Sequence, residues 1–192
     1  MKTTNIMIVG VGGQGSLLAS KLLGQLLVAE NYDVKVSEVH GMSQRGGSVV
    51  TYVRYGEKVY SPVICEGEAD FIVSFETIEA ARWVDCLKPS GRVIVNTQKI
   101  DPMPVITGAA QYPENVLDEM RACGVALDAL DALSLANEAG SAKAVNIVLM
   151  GRLAKYLDIP LERWLEEIEK SVKSQFVEIN KKAFTLGYNY SC

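Results

Sequence analysis

Six residues near the amino terminus, Gly10-Val11-Gly12-Gly13-Gln14-Gly15, have the G-x-G-x-x-G spacing that is typical of turns that bind phosphate groups. They follow the apolar run Ile6 to Val9 and precede a leucine-rich segment, so we expect the turn to join a buried strand to a helix. Gly10 then permits a tight turn, Gly12 lets a ligand approach the backbone, and Gly15 lets the helix pack on the sheet. Free N–H groups at the positive end of the helix would favour an anion. The alternative is that the glycines serve only close packing of strand and helix.

A carboxylate at Glu38 stands near the end of the second predicted strand, where a dinucleotide site holds a ribose. It is followed by His40 and a polar loop instead of the usual turn into a second helix. This departure favours a ligand other than NAD, and Glu38 is equally well interpreted as a loop or interface carboxylate.

The polar, glycine-rich segment from His40 to Gly47 is a second candidate anion site. Arg45, flanked by Gln44, Gly46 and Gly47, offers a fork of donors beside exposed backbone amides. His40 is the only histidine in the sequence, so it belongs to no histidine cluster and is interpreted as a structural hydrogen-bonding residue. Ser43 has no second histidine with which to form a triad, and no catalytic residue is assigned. The residues predicted to contact a cofactor are Gly10, Gly12, Gly13, Gln14, Gly15, Glu38, Gln44, Arg45, Gly46 and Gly47.

An asparagine in an apolar helix is the third polar feature. Residues Ala142 to Tyr156 are apolar on nearly every side, which predicts a buried helix with Ser141 as its cap. Asn146 would then lie in the interior and need hydrogen-bond partners. We interpret it as structural.

The remaining elements alternate between strand and helix patterns. Strands are predicted at 5–9, 34–39, 48–55, 59–61, 70–75, 92–96, 105–107 and 124–128, and helices at 16–30, 77–87, 113–121, 133–138, 142–156, 161–171 and 176–186. The 59–61 strand is expected to form a hairpin with 48–55 through a turn at Gly56-Glu57-Lys58. The pattern predicts a single α/β domain over residues 1–192, doubly wound and Rossmann-like. Its sheet is mostly parallel with an antiparallel β insertion, and its carboxyl-terminal region is helical.

Composition excludes several classes of protein. With 192 residues and a net charge of −4, the chain lacks the basic balance of a nucleic-acid binder. It has no apolar run near the roughly 20 residues that span a bilayer and no signal-peptide pattern, so a cytoplasmic location is expected. The four cysteines are widely scattered, and no metal site is predicted.

Taken together, the glycine turn, the segment Ser37 to Val49 and the Asn146-bearing helix resemble the gamma-type subunit or domain of the 2-oxoacid:ferredoxin oxidoreductases. The resemblance covers nearly the full length and is greatest to the small (beta) subunits of indolepyruvate ferredoxin oxidoreductases. The segment from Gly140 to Asn146 also resembles a family segment, in which an asparagine commonly stands where this chain has Ser141.

The resemblance implies an accessory subunit of a CoA-dependent indolepyruvate or arylpyruvate:ferredoxin oxidoreductase. Such enzymes decarboxylate a 2-oxoacid oxidatively to acyl-CoA. The implied partner is the large alpha subunit, which carries thiamine diphosphate and [4Fe-4S] clusters, while this chain contacts coenzyme A and reaches ferredoxin through the complex. The residues themselves leave two alternatives open: a free-standing NAD(P)-binding oxidoreductase and a nucleotide-sensing module.

Overall fold

The structure is a computed structural model that describes residues 3–40 and 46–191. Six strands form one sheet in the order β2-β3-β1-β4-β5-β6. The strands are β1 Thr4–Val11, β2 Asp33–His40, β3 Ser48–Gly56, β4 Ala69–Ser74, β5 Leu87–Asn96 and β6 Leu127–Leu130. β1, β4, β5 and β6 are mutually parallel, whereas β3 is antiparallel to both of its neighbours. This is the predicted mostly parallel sheet with an antiparallel insertion.

Helices cover both faces of the sheet. In the described ranges they are α1 Ser16–Ala29, α2 Thr77–Arg82, α3 Met103–Ile106, α4 Val116–Ala122, α5 Ala132–Ala139, α6 Val145–Ala154, α7 Leu161–Ser171 and α8 Val177–Asn189. Single 3₁₀ turns occupy Val84–Cys86, Ala142–Ala144 and Ser174–Phe176. None of these described helices combines the length and the apolar character that crossing a bilayer demands.

Side-chain alternation along β1 divides the core into two layers. Ile6 and Ile8 face the layer that contains α1, α5, α6, α7 and α8. Met7 and Val9 face the layer that contains α2 and α4. Because both faces of β1 are covered, its residues form a continuous apolar run. This is why the sequence predicts the strand well.

The fully buried helix α6 is confirmed: all ten of its residues, including Asn146 and Arg152, are buried. Arg152 donates hydrogen bonds to the Asp128 carboxylate at 2.5 Å and to the Tyr190 carbonyl at 2.6 Å. A buried guanidinium needs such partners, and these bonds tie the end of α8 to β6.

The predicted strand at Val59–Ser61 is wrong, and with it the hairpin turn at Gly56. β3 already pairs with β2 on one side and with β1 on the other, so no ladder position is left for a further strand. The Asp33 carboxylate instead accepts the Val59 N–H at 3.0 Å. A hydrogen bond from Lys35 and the bond from Val59 lower the pKa of Asp33 to about 2.

Two other predicted segments also differ. The predicted strand at 105–107 is wrong, because Met103–Ile106 forms one helical turn with a proline at its start, and its apolar side chains Met103 and Ile106 are exposed. The predicted helix 77–87 ends at Arg82. β5 begins at Leu87, so Pro89-Ser90-Gly91 lies within this strand, where its register with β4 shifts.

Two glycines set the close crossing of α6 and α8. A Cβ at Gly151 would lie 2.1 Å from the Phe184 carbonyl oxygen, and a Cβ at Gly187 would lie 2.0 Å from the Val148 carbonyl oxygen. We expect Gly151→Ala or Gly187→Ala to lower the free energy of unfolding by about 3 kcal/mol, since backbone cannot move aside as a flexible side chain can.

Gly24→Ala in α1 is the matched control. Its Cβ would meet only Val36 Cγ2 at 3.5 Å, so the higher helix propensity of alanine should stabilise the protein by up to about 1 kcal/mol. Urea unfolding of the three variants checks this. Equal effects at positions 24, 151 and 187 would contradict the close helix crossing.

Candidate functional site

The glycine turn joins β1 to α1 as predicted. Gly13 and Gly15 have φ angles of 102° and 89°, in the left-handed region that favours glycine. Gly10 is required by close contact, because a Cβ there would lie 2.8 Å from Gln14 Oε1 and 2.9 Å from Phe75 Cβ. The spacing of the motif therefore follows from the backbone path that carries the chain from strand to helix.

The side-chain amide of Gln14 closes this turn. Its Oε1 accepts the Val11 N–H at 2.7 Å, and its Nε2 donates to the Phe75 carbonyl at 3.0 Å, just beyond the end of β4. The backbone N–H of Gln14 donates to the Val11 carbonyl at 3.2 Å. The polar groups of Gln14 thus hold the turn, which assigns this residue a positioning role in the predicted site.

Backbone bonds attach the second predicted loop to the glycine turn. The Gly12 N–H donates to the Gly47 carbonyl at 2.8 Å, and the Gly46 N–H donates to the Gly12 carbonyl at 3.5 Å. The two glycine-rich segments, 35 residues apart in the sequence, therefore form one site at the carboxyl end of β1. Gln44 and Arg45, which were predicted to contribute to it, lie outside the described residues.

The start of α1 presents donors to this site. Gly15 is the N-cap residue, makes no side-chain cap, and is followed by a first turn without acidic residues. Among the described residues, no acceptor bonds to the N–H groups of Gly13, Gly15, Ser16 or Leu17. Since the unpaired amides and the helix dipole both favour negative charge, this turn is suited to binding an anion.

A cleft of about 400 Å³ opens at these amides, and Gly12, Gly13, Gly15 and Ser16 form its floor. Glu38 and His40, from the end of β2, also line it. The Glu38 carboxylate also accepts a hydrogen bond from Thr51 on β3 at 3.4 Å. A carboxylate repels phosphate but accepts hydroxyl donors, so the cleft has an anion end and a hydroxyl-accepting end.

The buried side chain of Asn146 contacts Gly15, the N-cap residue of α1. A Cβ at Gly15 would lie 3.1 Å from Asn146 Nδ2, and this amide donates to the Gly15 carbonyl at 3.4 Å. Asn146 Oδ1 accepts the Ile147 N–H at 2.9 Å. Ser141 accepts the Lys143 N–H at 3.3 Å and so caps the 3₁₀ turn before α6, as predicted.

Glu76 and Glu79 form a buried carboxylate pair that the sequence pattern does not predict. Glu76 caps α2 by accepting the Glu79 N–H at 3.0 Å, and it also accepts hydrogen bonds from Tyr112 and from the Ile100 N–H. Burial and the Glu76 carboxylate raise the pKa of Tyr112. The signal in the sequence was an acidic residue directly after the predicted strand 70–75, at the carboxyl edge where sites of such sheets lie.

Glu79, the second carboxylate of this pair, holds the end of the loop. Its two oxygens accept the Ser48 hydroxyl at 2.5 Å and the Arg82 Nε–H at 3.2 Å. Ser48 directly follows Gly47, so this bond positions the loop as it enters β3.

Among the predicted residues, Gly12, Gly13, Gly15 and Glu38 line one cleft, Gly10 and Gln14 build its turn, and Gly46 and Gly47 border it. Within residues 3–40 and 46–191, no three histidine, cysteine or acidic residues are grouped so as to hold a metal ion. The described geometry is suited to an anionic ligand that also carries a hydroxyl group.

The sequence of this chain is similar to those of known proteins. A model of the pyruvate ferredoxin/flavodoxin oxidoreductase family matches residues 5–190. Indolepyruvate oxidoreductase subunit IorB of Thermococcus kodakarensis is 46% identical to this chain, and the aligned region covers 97% of this chain and 95% of that protein.

Two solved structures have the same fold. Pyruvate oxidoreductase subunit PORC of Thermotoga maritima is similar with a TM-score of 0.74 at 21% identity, over 98% of this chain and 96% of that one. A 2-oxoglutarate:ferredoxin oxidoreductase of Magnetococcus marinus was solved with 2-oxoglutarate, coenzyme A and succinyl-CoA bound. It is similar with a TM-score of 0.67 at 18% identity, over 97% of this chain and 30% of that longer chain.

The turn-closing role of Gln14 is testable by substitution. Gln14→Ala leaves the Val11 N–H without its acceptor, so we expect the free energy of unfolding to fall by about 1–3 kcal/mol. Gln111→Ala, at an exposed position, should change it by less than about 0.5 kcal/mol. Chemical denaturation measures both. If the two variants are equally stable, the Gln14 amide does not hold the turn.

Proposed function

Because the chain belongs to the pyruvate ferredoxin/flavodoxin oxidoreductase family, we propose that it is the small subunit of an indolepyruvate or arylpyruvate:ferredoxin oxidoreductase. The observation that carries the proposal is the 46% identity to IorB over nearly the whole of both chains. The match spans 97% of this chain and 95% of that protein, which supports an equivalent role as a subunit. A cytoplasmic location stays a prediction from the sequence.

In the proposed enzyme, a 2-oxoacid is decarboxylated and oxidised, its acyl group passes to coenzyme A, and two electrons pass to ferredoxin. We assign thiamine diphosphate and the [4Fe-4S] clusters, which supply the carbon chemistry and the electron transfer, to the large partner subunit. The role of this chain is to bind and orient coenzyme A beside that subunit. The residues of the cleft fit this role because they provide anion donors and a hydroxyl acceptor.

The amides of Gly13, Gly15 and Ser16 would bind the pyrophosphate of coenzyme A at the positive end of α1. Glu38, which also lines the cleft, would accept a hydrogen bond from a hydroxyl of the ligand. Gly46, Gly47 and the adjoining Gln44 and Arg45 would cover the ligand or contact the partner subunit. A volume of about 400 Å³ lies at the lower end of the range for ligand pockets, roughly 300–1,000 Å³, so the cleft suits part of coenzyme A.

A free-standing NAD(P)-binding enzyme is the second candidate, because Glu38 shares the cleft with the glycine turn. The topology opposes it. In a dinucleotide-binding fold the acidic strand neighbours β1, whereas β3 lies between β1 and β2 here and displaces Glu38 by one strand spacing, about 4.8 Å. A nucleotide-sensing module would bind ligand without associating with a thiamine enzyme.

Co-expression with the large thiamine-dependent subunit tests the proposed function. We expect the two chains to co-purify and the complex to reduce ferredoxin with indolepyruvate in a reaction that requires coenzyme A. The large subunit alone should lose most of this activity, since the acyl acceptor would not be held. Failure to associate, with activity unchanged when this chain is omitted, would overturn the proposal.

Ligand choice separates the candidates. Coenzyme A at a hundred times its dissociation constant should stabilise the chain, alone or in complex, by about 2.7 kcal/mol, whereas NAD should not. Gly12→Val places a branched side chain in the cleft and should abolish this thermal shift, while Gly24→Ala, outside the cleft, should retain it. A shift with NAD and none with coenzyme A would favour the NAD(P) alternative.

A further inference from the structure

A second pocket, of about 340 Å³, is lined in part by Asn146 and shares no lining residue with the cleft. It is bounded by the start of α1, the 3₁₀ turn before α6, the end of α7 and the start of α8. Its walls are largely apolar and are formed by Leu18, Ala144, Val172, Phe176 and Ile179. Leu18 and Phe176 are 44% and 45% exposed, so an apolar ligand that entered the pocket would cover surface that is now in water.

The charged residues that line this pocket are all basic. Lys143 and Lys173 both line it, and none of its lining residues is acidic. Within the described part of the chain, neither lysine forms an ion pair with a carboxylate. The pocket therefore carries two available ammonium groups in a protein whose net charge is −4. An anionic group near the rim would be attracted, and more strongly where apolar walls exclude water.

Asn146 contributes a buried polar group to the same pocket, since it is 4% exposed and lines the wall. One N–H of its amide is used in the 3.4 Å bond to Gly15, and its oxygen accepts from Ile147. The second N–H has no acceptor among the described residues. A buried donor of this kind is more stable when a ligand supplies an oxygen atom.

From these observations we propose that the pocket between α1, α6, α7 and α8 is a binding site for an aromatic carboxylate, separate from the glycine-turn cleft. The aromatic ring packs against Phe176 and the aliphatic walls, as offset aromatic pairs do, and the carboxylate lies between Lys143 and Lys173. This inference rests on the pocket and not on the proposed function.

A ligand in this pocket would affect the position of residues that line the cleft. Leu18 belongs to the first turn of α1, and Asn146 bonds to Gly15, so a ligand in the pocket touches the residues that position the start of α1. The site is therefore placed to let an aromatic acid influence what binds at the glycine turn.

Calorimetric titration of the full chain with indole-3-acetate tests the proposal. We expect saturable binding at one site in the micromolar to low millimolar range. The Lys143→Gln/Lys173→Gln double variant should weaken it about tenfold, equivalent to about 1.4 kcal/mol. Lys21→Gln/Lys170→Gln has the same net charge but changes lysines outside the pocket, so its affinity should match that of the unmodified chain. The neutral probe indole-3-ethanol should bind more weakly and show no dependence on Lys143 and Lys173.

Phe176→Ala tests the aromatic wall and should weaken indole-3-acetate more than hexanoate, because both ligands lose apolar contact but only the indole also loses an aromatic pair. Three results would each overturn the proposal: no saturable binding of indole-3-acetate, equal affinity in the two lysine double variants, or competitive displacement of the probe by coenzyme A. The last would make the pocket part of the coenzyme A site. Because the titration needs no partner subunit, its failure is distinguishable from failure of the proposed function.

Discussion

The side-chain amide of Gln14 bonds to backbone on both sides of the junction between β1 and β4, and the candidate site depends on this bridge. Through it the Val11 N–H and the Phe75 carbonyl are held by one residue of the glycine turn. Asn96 on β5 donates to the same Phe75 carbonyl at 3.2 Å, and the Phe75 N–H donates to Val9 at 2.9 Å. The carboxyl ends of three parallel strands are thereby fixed relative to the start of α1. The amides that have no acceptor among the described residues lie there.

The position of β3 explains the rest of the site. As an antiparallel strand between β2 and β1, it begins at the glycine turn, so Gly46 and Gly47, which precede it, lie directly against Gly12. Glu79 fixes the entry of this strand through Ser48. The same insertion moves Glu38 one strand away from β1 while keeping it on the wall of the cleft. A dinucleotide-like turn is thus combined with a second loop that an ordinary dinucleotide fold lacks.

How far the sequence predicts this arrangement depends on whether the cause is local. Gly10 to Gly15, the helix after them and the buried helix around Asn146 are predicted because turn chemistry and apolar pattern are local signals. The strand predicted at 59–61 does not form, because β2 and β1 already occupy both sides of β3. Which strands flank β3 is decided by contacts distant in the sequence. The segment 105–107 has β-branched residues, but a proline at the start of Met103–Ile106 favours the helical turn that forms there. The bridging role of Gln14 and the carboxylates Glu76 and Glu79 depend on contacts 24 to 61 residues apart in the sequence. Pattern alone does not predict such contacts.

The central claim is that the amides of the glycine turn bind the anionic part of coenzyme A. Amide hydrogen exchange, measured on the complex with the large subunit with and without coenzyme A, tests it most directly. We predict that the amides of Gly13, Gly15, Ser16 and Leu17 become protected by at least about tenfold when coenzyme A is bound, because each gains an acceptor or is covered. Unchanged exchange at these four amides, with protection by coenzyme A elsewhere in the complex, would contradict the account.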